Sequence, residues 1–327
     1  MRIALIAPTA IPIPLTGYSG IEREVQYLAD ALCGMGHDVT VFCNLSEQNG
    51  TAHPWVGNAV NISIENEVID HLEALQGFDV VHDWSHTKPL RMARLKNYLA
   101  TTMWTDSLGT RNVFPTKAVA EAFGKPDGAI IPLGLPTGGL PEPVEPDGYF
   151  LCFSRIAPYK GVDTAIDIAS KNRVPLTVAG HTGRFADRYY AMKMKQRCRE
   201  LGFSFVADPE GDAEVIALMR HATGLIHVHR WLESFSLAIA QALCMGVPVL
   251  TSDRGGPQEY VRELGGGTVV HLEDGKEAEL HANGAVQAFL RNIPALEDRM
   301  ELAQRAREMF DINRIARIYV DIYGGGR

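Results

Sequence analysis

Short apolar runs alternate along this chain with longer stretches of helical period. Residues 2–7 form the first run, RIALIA, and Ile21, Val25, Leu28, Ala29 and Leu32 then recur at the spacing of an amphipathic helix. A second apolar run follows at 39–43, and others stand at 78–82, 103–107, 112–114 and 129–135. Strands without polar alternation are buried on both faces, as in a parallel sheet covered by helices. The pattern restarts at 149–153 and continues at 176–180, 203–207, 225–229 and 247–250, with helices expected at 162–170, 237–245, 295–309 and 312–323. Between the two series, Pro136, Gly138, Gly139, Pro141, Pro143 and Pro146 give residues 136–148 a linker composition. The expectation is an α/β protein with two Rossmann-like domains.

At 327 residues the chain is long enough for two domains. No apolar run approaches the ~20 residues needed to span a bilayer, and no signal peptide is visible at Met1. Five scattered cysteines read as reduced thiols in a cytoplasmic protein, without metal-ligand spacing. The net charge of −8 argues against nucleic acid and against strong attraction to anionic lipid. The one basic run, 184–199, reads as the solvated face of a helix.

The chemistry concentrates in residues 229–261. Ser234 and Ser236 are helix-start residues before the apolar run 237–245. A helix N-terminus presents N–H groups and the positive end of a dipole, so Phe235, Ser236 and Leu237 are placed to offer donors to an anion or a sugar. Glu233 sits at the mouth, and Gln241 follows eight residues later, about 12 Å on if the whole stretch is helical. Arg155 and Lys160 flank a turn before the helix at 162, where two cations can clamp a diphosphate. In the first half, Gly17, Ser19 and Gly20 form a loop open to backbone contact with phosphate. His82, Trp84 and His86 gather where one strand ends, and Asp106 where the next ends, the edge at which open α/β sheets bind ligands. Residues 208–212 form a loop expected to border a nucleotide base.

These residues resemble family 4 of the nucleotide-sugar glycosyltransferases, which have the GT-B fold. The signature of that family is Glu-x7-Glu at the 233–241 helix, where Glu233 matches the first position and Gln241 replaces the second. Its Arg-x4-Lys-Gly clamp is matched in full by Arg155, Lys160 and Gly161, and Ile21-Glu22-Arg23 follows the first loop as it does in the family. His-x-His is usual where His82 stands, but Trp84 occupies the second position and His86 is displaced by two.

The resemblance implies two Rossmann-like domains facing across a cleft, residues 1–137 with 311–327 and residues 138–310, the last helix crossing back to the first domain. It implies retaining hexosyl transfer without metal or cofactor. The catalytic group would be His82, Glu233, Arg155 and Lys160. The donor would be a UDP- or GDP-linked sugar held on the second domain by the first of the two Glu-x7-Glu positions, the clamp, the 234–237 backbone and Gln241, with the 17–20 loop. The acceptor would be a carbohydrate, lipid-linked or small molecule near Trp84, His86 and Asp106, with peripheral membrane contact open. A nucleotide-sugar epimerase of the same fold and a non-catalytic nucleotide-sugar sensor remain as alternatives. A dinucleotide dehydrogenase is disfavoured, because the first loop lacks Gly-x-Gly-x-x-Gly and no acid stands at the end of the second strand.

Overall fold

The first series of apolar runs, joined by two strands that the pattern does not predict (58–61 and 98–101), forms a seven-stranded parallel sheet: β1 (Arg2–Ile6), β2 (Asp38–Cys43), β3 (Asn58–Asn61), β4 (Val80–Asp83), β5 (Tyr98–Thr101), β6 (Asn112–Phe114) and β7 (Ala129–Ile130). The spatial order is β3-β2-β1-β4-β5-β6-β7. The second series, joined by an unpredicted strand at 267–270, forms a six-stranded parallel sheet: β8 (Phe150–Phe153), β9 (Leu176–Gly180), β10 (Ser204–Ala207), β11 (Gly224–His227), β12 (Val249–Ser252) and β13 (Gly267–Val270), in the order β10-β9-β8-β11-β12-β13. This computed structural model describes residues 1–13, 15, 19–45, 58–62, 65–95, 97–104, 106–183 and 186–325. The chain forms two units, Met1–Thr137 with Phe310–Arg327, and Gly138–Met309.

In the first unit the helices are α1 (Ile21–Gly34), the single-turn α2 (Leu72–Leu75), and α3 (Lys117–Ala122). In the second they are α4 (Val162–Asn172), α5 (Arg188–Leu201), α6 (Gly211–Arg220), α7 (Leu237–Cys244), α8 (Pro257–Glu263), α9 (Gly284–Arg291) and α10 (Leu296–Phe310). The last helix, α11 (Ile312–Tyr323), packs on α1. Asp311 caps it by accepting from Arg314 N at 2.8 Å, and Leu135 pairs with the chain on either side of Asp311 (Leu135 N to Phe310 O, 2.7 Å; Ile312 N to Leu135 O, 2.9 Å). Among the described residues no helix is long and apolar enough to cross a membrane.

Two more local expectations change. Of the strand end expected at 103–107, residues 103, 104, 106 and 107 lie beyond β5 outside any strand, where Asp106 accepts from Met103 N at 2.9 Å. The linker composition of 136–148 does not make a loose tether. Arg307 donates to Pro141 O at 2.7 Å and to the Glu142 carboxylate, and Arg220 donates to Glu142 O at 2.8 Å. Two guanidinium groups thus satisfy backbone oxygens that a proline-rich segment cannot satisfy within itself.

Each sheet reverses its strand order once, between β1 and β4 and between β8 and β11. Ligands of open α/β sheets sit outside the carboxyl ends of the strands at such points. The loops leaving β8 and β11 carry Arg155, Lys160, Trp231 and Glu233, and the loop leaving β4 carries Trp84 and His86.

Candidate active site

The loop leaving β8 makes one 3-10 turn, Pro158–Lys160, and ends at Gly161 with φ +70°. A Cβ on Gly161 would lie 1.8 Å from Val228 O, so only glycine lets this turn press against the chain leaving β11. That approach brings the Lys160 ammonium onto Glu233 Oε2, an ion pair in which the two residues are 9% and 7% exposed. Trp231 Nε1 donates to the same oxygen at 2.9 Å, and Lys160 Nζ stands 4.7 Å from the centre of the indole. Tyr159 packs against Trp231 with ring centres 5.2 Å apart, and its hydroxyl accepts from Arg155 Nη1 at 2.8 Å. An aromatic pair therefore ties together all three charged residues of the expected donor site.

Burial alone would raise the Glu233 pKa. Lys160, with His229 and His227 nearby, overrides it and brings the carboxyl to about 2. The group is fixed as an anion, suited to accept from hydroxyls. Burial, with His229 and Lys160, lowers His227 to about 3, and burial also lowers His229, so both imidazoles stay neutral.

The Glu233 backbone is held from the β12 side. Gly256 N donates to Glu233 O at 2.8 Å, and Glu233 N donates to Arg254 O at 3.3 Å. Gly255 has φ +95°, and a Cβ there would lie 2.2 Å from Glu233 O. Ser236 also has positive φ, +68°, which costs a non-glycine residue about 1–3 kcal/mol. Its hydroxyl caps α7 by accepting from Ile239 N at 3.4 Å, and the Tyr260 hydroxyl donates to Phe235 O and stands 3.3 Å from Ser236 O. Phe235 is buried against Tyr260, whereas Ser234, Ser236 and Leu237 are half-buried. Helix α7 begins only at Leu237, so Glu233 lies in the loop before it. The expected straight helical path to Gln241 is therefore not formed, and Gln241 sits half-buried in the second turn of α7.

The first unit corrects several expectations. His82 was expected beside the reacting sugar but is enclosed. Its Nδ1 is 2.7 Å from Tyr323 Oη and its Nε2 is 2.8 Å from Thr101 Oγ1, which occupies both ring nitrogens. Burial, with the Lys88 charge nearby, lowers its pKa well below the usual value. Trp84 is fully buried between His82 and Tyr319, with ring centres at 4.9 and 6.1 Å, and is no acceptor surface. Asp106 is buried and meets His86 Nδ1 at 2.7 Å, Lys88 Nζ at 3.2 Å and Met103 N at 2.9 Å, so its carboxylate is spent on these partners. His86 is the histidine at solvent, its side chain 40% exposed. Ser19 Oγ donates to Glu22 Oε2 at 2.7 Å and accepts from Arg23 N at 3.3 Å, so it is tied to the first turn of α1. Gly20 is the residue before α1, and Gly17 lies outside the described residues. In the loop expected at the base, Asp208 accepts from Thr182 N at 2.9 Å and meets His181 Nδ1 at 3.2 Å.

Sequence reasoning missed Trp231 and Tyr159. The signal was present: Trp231 stands two residues before Glu233, and in extended chain such residues face the same side.

The family model "Glycosyl transferases group 1" matches residues 141–309, more than half of the chain. The chain belongs to the group 1 glycosyl transferases. Solved structures support the fold of this group 1 chain over its whole length. AviGT4, a glycosyltransferase involved in avilamycin A biosynthesis, superposes with a TM-score of 0.75 at 21% identity, covering 98% of this chain and 96% of that one. Sucrose-phosphate synthase from Thermosynechococcus elongatus gives 0.78 at 18% identity, covering 99% and 98%. Anabaena Alr3699/HepE, in a complex with UDP and glucose, gives 0.74 at 16%, covering 99% and 100%. The two parallel sheets with flanking helices are the Rossmann-like domains of the GT-B fold. No curated protein matches the sequence.

Proposed function

We propose that this group 1 glycosyl transferase moves a hexosyl group from a UDP- or GDP-linked sugar to a hydroxyl acceptor, with retention of configuration and without a metal. The Lys160–Glu233 ion pair at the carboxyl edge of the second sheet carries the reading. The anomeric C–O bond of the donor breaks, and its electrons pass to the diphosphate, whose growing charge Arg155 and Lys160 stabilise. The acceptor oxygen bonds to the anomeric carbon on the same face, and its proton goes to the departing phosphate oxygen. Glu233 accepts from the donor sugar hydroxyls, and Gln241 offers the ribose a neutral hydrogen bond. His86, at solvent and oriented by Asp106, replaces His82 as the acceptor-side imidazole. The Arg155–Lys160–Gly161 and Glu233 pattern favours family 4 within the group, and five cysteines, none in a disulfide, favour the cytoplasm. The acceptor is a carbohydrate, a lipid-linked sugar or a small molecule.

Arg155→Ala tests the clamp. It should weaken UDP or GDP binding by about 1.5–3 kcal/mol, the range for hydrogen bonds to charged groups, and leave the bare nucleoside unaffected. Equal losses for both ligands by calorimetry would overturn the assignment. The anomeric configuration of the product by NMR, and turnover in excess chelator, test retention and metal independence. The enclosure of His82 favours one second reading, a non-catalytic nucleotide-sugar binder, which turnover with any acceptor would eliminate.

A further inference from the structure

The basic run set aside as a solvated face is the outer surface of α5, apart from Arg184, which lies outside the described residues. Helix α5 carries five Lys or Arg against one Glu in a chain of net charge −8. Its buried face is Ala191, Met194 and Cys198. At about 100° per residue, Tyr189 and Gln196 point directly away from that face, with Glu200 close beside them and Met192 about 50° to one side. Tyr189 is 73% and Met192 70% exposed, so neither packs on the unit that carries it. Exposed Arg188, Lys195 and Arg199 flank this ridge on one side and Lys193 on the other, with Lys193 Nζ 5.7 Å from the Tyr189 ring centre. Glu200 lies at the far end, engaged by Gln196 at 2.8 Å, and the inner cation Arg197 is paired with Asp167.

A solvated face needs the charges but gains nothing from an exposed tyrosine and methionine between them. An interfacial helix needs both: apolar and aromatic tips that enter the headgroup boundary, and cations on flexible stems that meet lipid phosphates on either side. We propose that α5 docks this protein on an anionic bilayer surface, with Tyr189 and Met192 inserted and Arg188, Lys193, Lys195 and Arg199 on the headgroups. Helix α5 packs on α4, which begins two residues after Lys160. Tyr190 secures it there, donating to Asp163 Oδ1 at 2.8 Å and accepting from Asp163 N at 2.9 Å in the first turn of α4. Each cation near such a surface strengthens partition roughly fivefold.

The test is co-sedimentation of the full chain with phosphatidylcholine vesicles that contain or lack phosphatidylglycerol. Binding is expected only with the anionic lipid and should weaken with salt. The double change Lys193→Glu and Lys195→Glu should abolish it. Tyr189→Ser with Met192→Ser should weaken it at least fivefold at unchanged charge. Lys125→Glu with Arg291→Glu, exposed cations elsewhere, should leave it intact. Circular dichroism confirms that each variant folds. Equal binding to neutral vesicles, insensitivity to the α5 changes, or binding to a soluble polyanion but not to vesicles would overturn the proposal. The assay reads lipid binding and not transfer, so it stands or falls apart from the donor reading.

Discussion

Replacing Lys160 by methionine removes the ammonium from Glu233 and keeps the aliphatic stem against Trp231. The carboxyl of Glu233 lies near 2 in place of 4.5, a difference worth about 3 kcal/mol in favour of the ionised form. Removing one partner of a buried pair costs about 3–5 kcal/mol, because the other charge stays buried alone. With both residues about 10% exposed, the lower end applies, and Lys160→Met should destabilise the second unit by about 3 kcal/mol. Glu233→Gln alone should cost about 2 kcal/mol, and the double variant little more than either single one, a coupling of about 2–3 kcal/mol. The folded pKa of Glu233 is depressed, so its stabilisation is present above about pH 4.5 and lost as the pH falls toward 2. Urea denaturation of the four proteins, followed by far-UV circular dichroism, gives the cycle. The gap between wild type and Lys160→Met should close over that acid window. A coupling below about 0.5 kcal/mol, or a gap that persists unchanged in acid, would refute the argument.

Ser236→Gly relieves the positive φ at the loss of a long cap bond, and should raise stability by about 1 kcal/mol in urea melts; a loss of that size would show that the cap outweighs the strain. Burial lifts the Glu24 carboxyl to about 8, against the hydrogen bond it accepts from Gly134 N, so the folded state holds a proton that the unfolded state releases above about 4.5. Stability from this group is full below pH 4.5 and falls as pH rises to about 8, so Glu24→Gln should be near neutral at the acid end and stabilising by about 5 kcal/mol at the alkaline end; no pH dependence in the difference would reject it.

Much of the sheet architecture was legible because several buried parallel strands are continuous apolar runs, as in IALI of β1 and FLCF of β8, whereas β3, with polar residues at both ends, was not. The turn that carries Arg155, Lys160 and Gly161 was legible too, since the three are close in sequence and Gly161 has a steric reason to be there. What could not be read was which polar residues at a strand end face the ligand. His82 and His86 are four residues apart and chemically alike, yet one pairs within β4 and is sealed by Tyr319 and Tyr323 from α11, more than two hundred residues away. No local pattern carries such a contact. The same holds for Asp106, whose partner Lys88 is fully buried with φ +50°, a conformation that lysine composition does not announce.

These placements bear on why a glutamine is tolerated at 241. If Glu233 were the first turn of α7, a change one side chain further along the helix would shift the same rigid element. Instead the chain turns at Ser236, and among the described residues the bonds that fix Glu233 come from outside α7: Lys160 from the loop after β8, Trp231 from its own loop, and Arg254 O and Gly256 N from the loop after β12. The orientation of Glu233 is then independent of the side chain at 241, and the two ends of the helical signature can vary separately. The buried Lys160–Glu233 pair is thus held by three strand-end loops, while Gln241 lies on the helix that follows; on the proposed function, the glutamine costs one hydrogen bond and leaves the pair intact.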